Sequence, residues 1–256
     1  MSDAPLKTAL VTGAAQRIGR AIALDLGARG WSVAVHYHRS GDAAREVCEE
    51  IQRLGGHAVA MRADLSKERE VDALADRATE AVGPVICLIN NASIFEKDTP
   101  ETATSESWNA HMQVNLRAPF MLIQRFLAQL PQDIPGNVIN IIDQRVWNLT
   151  GTFTSYTVSK SALWTLTRTL ALALAPRVRV NAVGPGPTLP SPRQTDEHFR
   201  RQWQETPLSR RVELGEICEA VRFILDAPSM TGQMVALDSG QHLGWATPSQ
   251  VGDIEE

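Results

Sequence analysis

The chain has 256 residues, of which 43% are hydrophobic and 21% charged, and this is long enough for one large α/β domain with a full core. Its formal net charge of −4 and its pI of about 5.9 give no basic field that would indicate nucleic-acid binding. The sequence carries no apolar run of membrane-spanning length and no signal-peptide pattern at its start. Cys48, Cys87 and Cys218 are scattered without metal-ligand or redox spacing. We therefore expect a soluble cytoplasmic protein with reduced thiols.

Short apolar runs alternate with longer helical patterns along the chain. The strand candidates are Thr8–Val11, Ser32–His36, Ala58–Arg62, Val85–Ile89, Val138–Ile142, Arg179–Ala182 and Met234–Leu237. The helix candidates are Arg17–Ala28, Ala43–Leu54, Glu68–Ala81, Glu106–Gln129, Ser155–Leu174 and Glu213–Leu225. This alternation predicts one doubly wound α/β domain over residues 1–256, with a mostly seven-stranded parallel sheet and helices on both faces.

The segment Thr12–Gly19 follows the first strand candidate and opens the first helix candidate. Gly13 permits a tight turn and Gly19 permits close packing of the helix on the sheet, so that the helix amino terminus would face a pyrophosphate. A glycine pattern alone is a weak signal, but the strand–turn–helix context is what a Rossmann dinucleotide site requires. Arg17 replaces the middle glycine of the usual pattern, and its cation could reach a phosphate.

The second strand candidate runs into His36–Ser40, where an NAD site would usually carry an acidic residue for the ribose 2′-hydroxyl. The chain offers Arg39, Ser40 and His38 there, and a guanidinium with a hydroxyl suits a 2′-phosphate. We therefore predict NADP(H) rather than NAD(H). The alternative is that Ser40 caps the next helix and Arg39 is solvated.

Polar residues also follow the third and fourth strand candidates. Asp64-Leu65 ends the third, where a carboxylate could accept from the adenine amino group. Asn90–Ser93 ends the fourth, where the chain would pass under the cofactor. The carboxyl ends of parallel strands line the ligand crevice in such folds.

The segment Asn137–Lys160 combines a buried-strand pattern with a helical pattern that carries Tyr156 and Lys160. Because these two are four residues apart, a helix would place them on the same face. A nearby ammonium favours the phenolate and would bring a phenol, whose ordinary pKa is ~10, closer to useful proton transfer. Asp143, at the strand end, could complete a proton relay. Taken alone, however, the Tyr156 and Lys160 spacing also suits an ordinary surface pair.

A long insert occupies 187–212, after the Pro- and Gly-rich stretch Gly184–Pro192. An insert late in such a fold is typical of a substrate lid, although a flexible surface loop would have the same composition.

Taken in order, the segments Thr12–Gly19, Asn90–Ala92, Asn115, Tyr156-x-x-x-Lys160 and Pro185-Gly186 resemble a short-chain dehydrogenase/reductase over nearly the whole chain. The resemblance implies that Tyr156 is the proton donor, that Lys160 holds the nicotinamide ribose and lowers the Tyr156 pKa, and that Asn115 supports a water relay to Lys160. It also implies that Pro185-Gly186 borders the nicotinamide and that the protein is a homotetramer. The residues predicted to bind NADPH are Gly13, Arg17, Ile18, Gly19, His38, Arg39, Ser40, Asp64, Leu65, Asn91, Ala92, Ser93, Tyr156, Lys160, Pro185, Gly186 and Thr188.

Asp143 departs from the family pattern, because thirteen residues before the tyrosine the family usually has a serine that bonds a substrate carbonyl. Aspartate there, with Arg17, His36–Ser40 and Asn90–Phe95, resembles the pteridine reductases and the bacterial dihydromonapterin/dihydrofolate reductases. In that subfamily a pterin ring stacks between the nicotinamide and an aromatic residue, and Phe95 occupies the matching place. A carboxylate would repel the charge that develops on a carbonyl oxygen, but it is a good partner for pterin N–H groups.

We therefore predict an NADPH-dependent reductase that transfers hydride to a pterin C=N bond of a dihydropterin, dihydromonapterin or dihydrofolate. The predicted catalytic residues are Asp143, Tyr156, Lys160 and Asn115, and the predicted substrate contacts are Arg17, Ser93, Phe95, Asp143 and Tyr156. Core packing is the competing interpretation of Phe95. Two other functions stay open, a 3-oxoacyl or ketone reductase and a catalytically idle dinucleotide-binding protein; the intact Asn115, Tyr156 and Lys160 argue against idleness. His111, His198 and His242 have no ligand spacing, so we predict no catalytic metal.

Overall fold

Seven short strands form one parallel sheet at the centre of the computed structural model, which describes residues 6–191 and 193–244. The strands are β1 (Thr8–Val11), β2 (Ser32–Tyr37), β3 (His57–Arg62), β4 (Cys87–Asn90), β5 (Gly136–Ile141), β6 (Val178–Pro185) and β7 (Met234–Leu237). Their order is β3-β2-β1-β4-β5-β6-β7, and each neighbouring pair is parallel. The strand order reverses between β1 and β4, and this opens a crevice at their carboxyl ends. The predicted doubly wound α/β sheet is confirmed.

Helices cover both faces of the sheet, which explains why strands such as β1 and β4 are buried along their whole length. The helices are α1 (Arg17–Ala28), α2 (Gly41–Arg53), α3 (Glu68–Val82), α4 (Ser105–Met112), α5 (Ala118–Gln129), α6 (Thr154–Leu174), α7 (Asp196–Gln204) and α8 (Leu214–Asp226). Short 3₁₀ turns lie at Gln144–Val146 and Gln241–Leu243. One core packs α1, α2 and α8 on the sheet and a second packs α3 and α5 on the other face.

Two helix predictions need correction. The single helix predicted over Glu106–Gln129 is wrong, because a π-helical segment, Gln113–Arg117, separates α4 from α5. That segment carries Asn115, whose buried side chain bonds a neighbouring loop and α6; such local widening often occurs at functional sites. Helix α7 was missed inside the 187–212 insert, where Thr195 caps it by accepting from the His198 N–H at 3.2 Å.

The predicted single domain 1–256 includes residues 1–5, 192 and 245–256, which lie outside the described residues. Within residues 6–191 and 193–244, no helix is both long and apolar enough to cross a bilayer.

Candidate active site

The carboxyl ends of the central strands open into a cavity of about 710 Å³. Most of the predicted site residues line it, namely Gly13, Arg17, Ile18, Gly19, His38, Arg39, Asp64, Leu65, Asn91, Ala92, Ser93, Phe95, Asp143, Tyr156, Lys160, Pro185, Gly186 and Thr188. Two predicted residues lie outside this lining. Ser40 occupies the N-cap position of α2, and Asn115 is fully buried in the π-helical segment.

The turn after β1 is fixed by contacts that leave no room for larger residues. Gly13 has a φ of +62°, and a Cβ on Gly19 would lie 2.3 Å from the Gly13 carbonyl oxygen. The Thr12 hydroxyl accepts from the Asn91 and Ala92 N–H groups at 2.9 and 3.0 Å, while the Asn91 amide donates to the Thr12 carbonyl at 2.8 Å. The turn and the end of β4 are therefore one rigid unit at the start of α1.

His36 also holds this turn, and sequence reasoning did not give it a role of its own. Its Nδ1 accepts from the Gly13 N–H at 3.0 Å, and its Nε2 lies 3.1 Å from the Ala63 carbonyl oxygen. Burial lowers the pKa of His36 to about 4, so the ring is neutral at pH 7 and its proton is on Nε2. A histidine inside the buried run of β2 was the available signal.

The next part of the cavity carries cationic and polar groups from the ends of β2 and β3. His38 and Arg39 are exposed along its wall. Asp64 Oδ1 accepts from the Ser66 N–H and hydroxyl at 3.0 and 2.7 Å. Burial opposes ionisation of Asp64, but those hydrogen bonds together with the charges of His38 and Lys67 outweigh it and hold its pKa below the ordinary value. The predicted adenine contact of Asp64 stays a prediction.

Arg17 bridges the turn and the 187–212 insert. Its terminal nitrogens donate to the carbonyl oxygens of Pro190 and Leu189 at 2.8 and 3.1 Å. Arg193, further along the insert, donates to the Phe95 carbonyl oxygen and pairs with Glu96. Seven residues of the insert line the cavity, namely Pro187, Thr188, Leu189, Ser191, Gln194, Phe199 and Gln202. The insert therefore lies over the cavity; its role as a lid and the contacts of Arg17 with phosphate and substrate stay predictions.

Asp143 and Tyr156 meet at the centre of the cavity. Asp143 follows β5, and its Oδ2 accepts from the Tyr156 hydroxyl at 2.8 Å while its Oδ1 accepts from the Arg145 N–H at 2.8 Å. Burial, and then the charge and hydrogen bond of Asp143, raise the pKa of Tyr156 well above its ordinary value. Tyr156 is therefore a neutral phenol at pH 7, bonded to a carboxylate.

Lys160 lies further from the Tyr156 hydroxyl than Asp143 does, and its predicted lowering of the Tyr156 pKa stays a prediction. Its ammonium donates to the Ile141 carbonyl oxygen at 2.9 Å and lies 5.9 Å from the Tyr156 ring centre. Asp143 touches the hydroxyl directly, so its effect is the larger one. Burial lowers the pKa of Lys160 itself to about 8.

Asn115 supports the loop after β4. Its Oδ1 accepts from the Ile94 N–H at 2.9 Å and from the Ser93 hydroxyl at 3.1 Å, and its Nδ2 donates to the Ser159 hydroxyl at 3.1 Å. It thus ties this loop to α6 close to Tyr156. The water relay to Lys160 stays a prediction.

Phe95 is half-buried and belongs to an aromatic group beside Tyr156. Its ring stacks on Phe153 with centres 4.3 Å apart and meets Tyr156 edge-on at 4.6 Å. Core packing alone does not describe Phe95, because its ring packs on Phe153 and Tyr156 while the residue also lines the cavity. Phe153 was missed; an aromatic residue three positions before Tyr156 was the signal.

Comparisons with known proteins extend over nearly the whole chain. A family model described as short chain dehydrogenase matches residues 7–200. Glucose 1-dehydrogenase 2 of Bacillus subtilis is 32% identical over 254 residues, which are 96% of this chain and 97% of that protein. The 3-oxoacyl-acyl-carrier-protein reductase FabG of Staphylococcus epidermidis is 32% identical over 247 residues, 93% of this chain and 99% of that one. A crystal structure of FolM alternative dihydrofolate reductase 1 from Brucella canis, complexed with NADP, is 48% identical with a TM-score of 0.92 and covers 94% of this chain and 96% of its own.

Proposed function

The chain belongs to the short-chain dehydrogenase family, and from this premise we propose that it is an NADPH-dependent reductase of a C=N bond in a dihydropterin or dihydrofolate. The observation that carries the proposal is the carboxylate of Asp143, hydrogen-bonded to the buried Tyr156 hydroxyl at 2.8 Å. A carboxylate at this point favours a substrate that brings N–H donors rather than one that offers only a carbonyl oxygen. The 48% identity to a protein described as an alternative dihydrofolate reductase supports the same substrate class.

NADPH fits the residues at the strand ends. The α1 amino terminus opens on the cavity beside Gly13 and Gly19, whose lack of a side chain permits the tight turn of a pyrophosphate site. Arg39 and His38 lie along the wall and can face a 2′-phosphate, and Lys160 can hold the nicotinamide ribose. Solved relatives bound to NADP support this choice. When bound, NADPH supplies the hydride.

The chain's own residues supply the proton. In the reduction, the substrate carbon gains the hydride and the substrate nitrogen gains one proton, so that each C=N bond consumes one NADPH and one H⁺. Tyr156 is kept as a neutral phenol, the form that a general acid needs, and shares its proton with Asp143. Asp143 can accept a hydrogen bond from one substrate N–H and can pass the proton of the Tyr156 hydroxyl to the ring nitrogen. A proton from solvent then restores the Tyr156 hydroxyl.

The aromatic group beside Tyr156 suits a flat heterocycle. Phe95 lines the cavity, and its stacking on Phe153 at 4.3 Å fixes the orientation of its ring. Stacking on a rigid ring contributes affinity for a pterin without selecting its side chain. Ser93, which is exposed at the cavity wall, can add a hydrogen bond.

A carbonyl reductase is the second candidate function, favoured by the 32% identity to a 3-oxoacyl reductase and to a glucose dehydrogenase. In that case Asp143 would have another task than binding N–H groups. The two candidates differ in the substrate atom that faces Asp143.

The decisive experiment is steady-state oxidation of NADPH with a panel of dihydropterins, dihydrofolate, a 3-oxoacyl thioester and simple ketones. We expect reduction of the pterins or of dihydrofolate and little with the carbonyl compounds, since a site that leaves a buried polar group unpaired can reject a substrate by roughly 10⁴-fold. Tyr156→Phe, measured in parallel, reports contamination by other reductases. Turnover of carbonyl compounds alone would replace this function by the second candidate.

We also propose a homotetramer. Large exposed apolar side chains on the helices support association, namely Trp108 on α4, Phe120 on α5, Leu172 on α6 and Phe223 on α8. Light scattering coupled to size exclusion measures the mass directly, and a monomer near 28.0 kDa would contradict the proposal.

A further inference from the structure

We propose that Asp98, His111 and Ser155 form a buried positioning network that holds Tyr156, and with it the Phe95–Phe153 pair, in the geometry needed for proton transfer. The inference rests on the proposed function in one respect, namely that Tyr156 is the proton donor. None of the three residues lines the cavity in the described part of the chain, so they act through Tyr156 and not on the substrate.

Asp98 caps the catalytic helix from a distant part of the chain. Helix α6 begins at Thr154, and the residue before it, Phe153, has a left-handed φ of +62° and a phenyl ring that cannot accept a hydrogen bond. The Phe153 and Thr154 N–H groups donate to the Asp98 carbonyl oxygen at 2.8 and 3.4 Å. The Ser155 N–H donates to Asp98 Oδ1 at 3.1 Å. Asp98 thus satisfies the first N–H groups of α6, and its carboxylate lies where the helix dipole favours negative charge.

Ser155 and His111 complete the network behind Asp98. The Ser155 hydroxyl donates to Asp98 Oδ2, and His111 Nδ1 lies 2.7 Å from the same hydroxyl oxygen. His111 Nε2 accepts from the Glu96 N–H at 3.2 Å, so its proton is on Nδ1, which can donate to the Ser155 hydroxyl or to the Ser107 carbonyl oxygen at 3.0 Å. Asp98 is 3% exposed and the other two are 0% exposed. Removing the Ser155 hydroxyl therefore takes one buried partner from both Asp98 Oδ2 and His111 Nδ1.

The network connects three elements around the aromatic group: α4, which carries His111, the loop after β4, which carries Asp98, and α6, which carries Ser155. Ser155 directly precedes Tyr156, and the His111 ring meets the Tyr156 ring edge-on with centres 6.1 Å apart. Glu96 and Asp98 belong to the loop that carries Phe95. A shift of the first turn of α6 would move the Tyr156 hydroxyl away from Asp143, which it now contacts at 2.8 Å.

The distant cap also explains the unusual residue at the start of α6. A serine, threonine or aspartate at position 153 would cap the helix locally. The chain places Phe153 there instead, in a conformation that costs a non-glycine residue free energy, and its ring stacks on Phe95 at 4.3 Å. Because Asp98 supplies the cap, position 153 is free to carry the aromatic side chain.

Ser155→Ala tests the network, and Thr167→Val is its matched control. Thr167 lies on the same helix, is 0% exposed, and loses a buried hydroxyl that bonds Leu163 and Asn140. We expect Ser155→Ala to lower the single-turnover rate of dihydropterin reduction by about 10- to 100-fold, the effect of a small misplacement of a reacting group, with unchanged NADPH affinity. Thr167→Val should leave that rate unchanged. Asp98→Asn, which keeps the backbone cap, gives a second variant if Ser155→Ala does not fold.

Ser155→Ala made in a Tyr156→Phe protein separates a positioning role from general destabilisation. If Ser155 acts through the phenol, Ser155→Ala has no further effect once the hydroxyl is gone, because residues that act as a unit are not additive. The inference would be overturned if Ser155→Ala lowered the single-turnover rate equally in the unmutated and Tyr156→Phe proteins, or if Thr167→Val lowered that rate as much as Ser155→Ala.

A readout without turnover keeps this test independent of the proposed function. The chain has two tyrosines, so fluorotyrosine labelling gives two ¹⁹F resonances, which Tyr37→Phe assigns. We expect Ser155→Ala to shift or broaden the Tyr156 resonance and Thr167→Val to leave it in place. If the unmutated protein reduces no dihydropterin, the proposed function fails while the ¹⁹F comparison still decides the positioning. An unmoved Tyr156 resonance in Ser155→Ala would refute it.

Discussion

Replacing Asp143 with asparagine keeps the size of the side chain beside Tyr156 but removes its charge. The Tyr156 hydroxyl would then face a neutral amide in place of the carboxylate that it contacts at 2.8 Å. A hydrogen bond to a charged group contributes about 1.5–3 kcal/mol, and the proposed contact to the substrate N–H is of this kind. Since each 1.36 kcal/mol is tenfold in rate, kcat/KM for dihydropterin should fall by roughly 10- to 150-fold. NADPH affinity should not change.

The assay is NADPH oxidation with saturating cofactor, across dihydropterin and ketone substrates. Asp72→Asn is the matched control, because Asp72 is an aspartate whose hydrogen bond at 2.9 Å goes to Arg125 on the protein surface. Ketone turnover in Asp143→Asn should be retained or increased, since the repelling charge is gone. A dihydropterin kcat/KM equal to that of the unmutated protein would refute the assignment of Asp143 to the substrate N–H groups.

Four further substitutions probe the rest of the site. Arg39→Asp should lower the preference for NADPH over NADH about tenfold, the lower end for an exposed charge-assisted contact; an unchanged ratio of kcat/KM values would contradict the role of Arg39. Tyr156→Phe should reduce turnover at least ~100-fold while fluorescence titration still detects NADPH binding, and near-normal turnover would move the donor role to Asp143. Lys160→Met should affect stability in a pH-dependent way. The Lys160 pKa is about 8 when folded against 10.5 when unfolded, so the unfolded chain binds more protons between these values. The unmutated protein should therefore gain stability relative to Lys160→Met as pH rises through this window, by up to about 3 kcal/mol. A difference in free energy of unfolding between the two proteins that stays constant from pH 8 to 10 would exclude this. Phe95→Ala should mainly raise KM for the dihydropterin, and a change confined to kcat would argue against stacking.

The sequence alone determined the layered architecture and the order of the site segments. Alternation of apolar runs with helical patterns requires parallel strands covered on both faces, and β1, β7 and α1 begin and end where the pattern predicts. The sequence also predicts where glycine is required, because a Cβ at position 19 would lie too close to the Gly13 carbonyl oxygen. Residues placed after strands β1 to β6 converge on one cavity, since parallel strands end at the same edge of a sheet.

Tertiary structure alone decided the electrostatics and the supporting contacts. The Tyr156 pKa rises because the phenol is buried and because Asp143, which follows β5, contacts its hydroxyl, and the spacing of Tyr156 and Lys160 along the chain predicts neither effect. Asp98 caps α6 from a point 57 positions before Ser155 in the chain, and Asn115 in the π-helical segment bonds a loop and α6 that are distant in sequence. Helical periodicity and capping rules describe neighbours along the chain, whereas these features depend on side chains that folding brings together and removes from water.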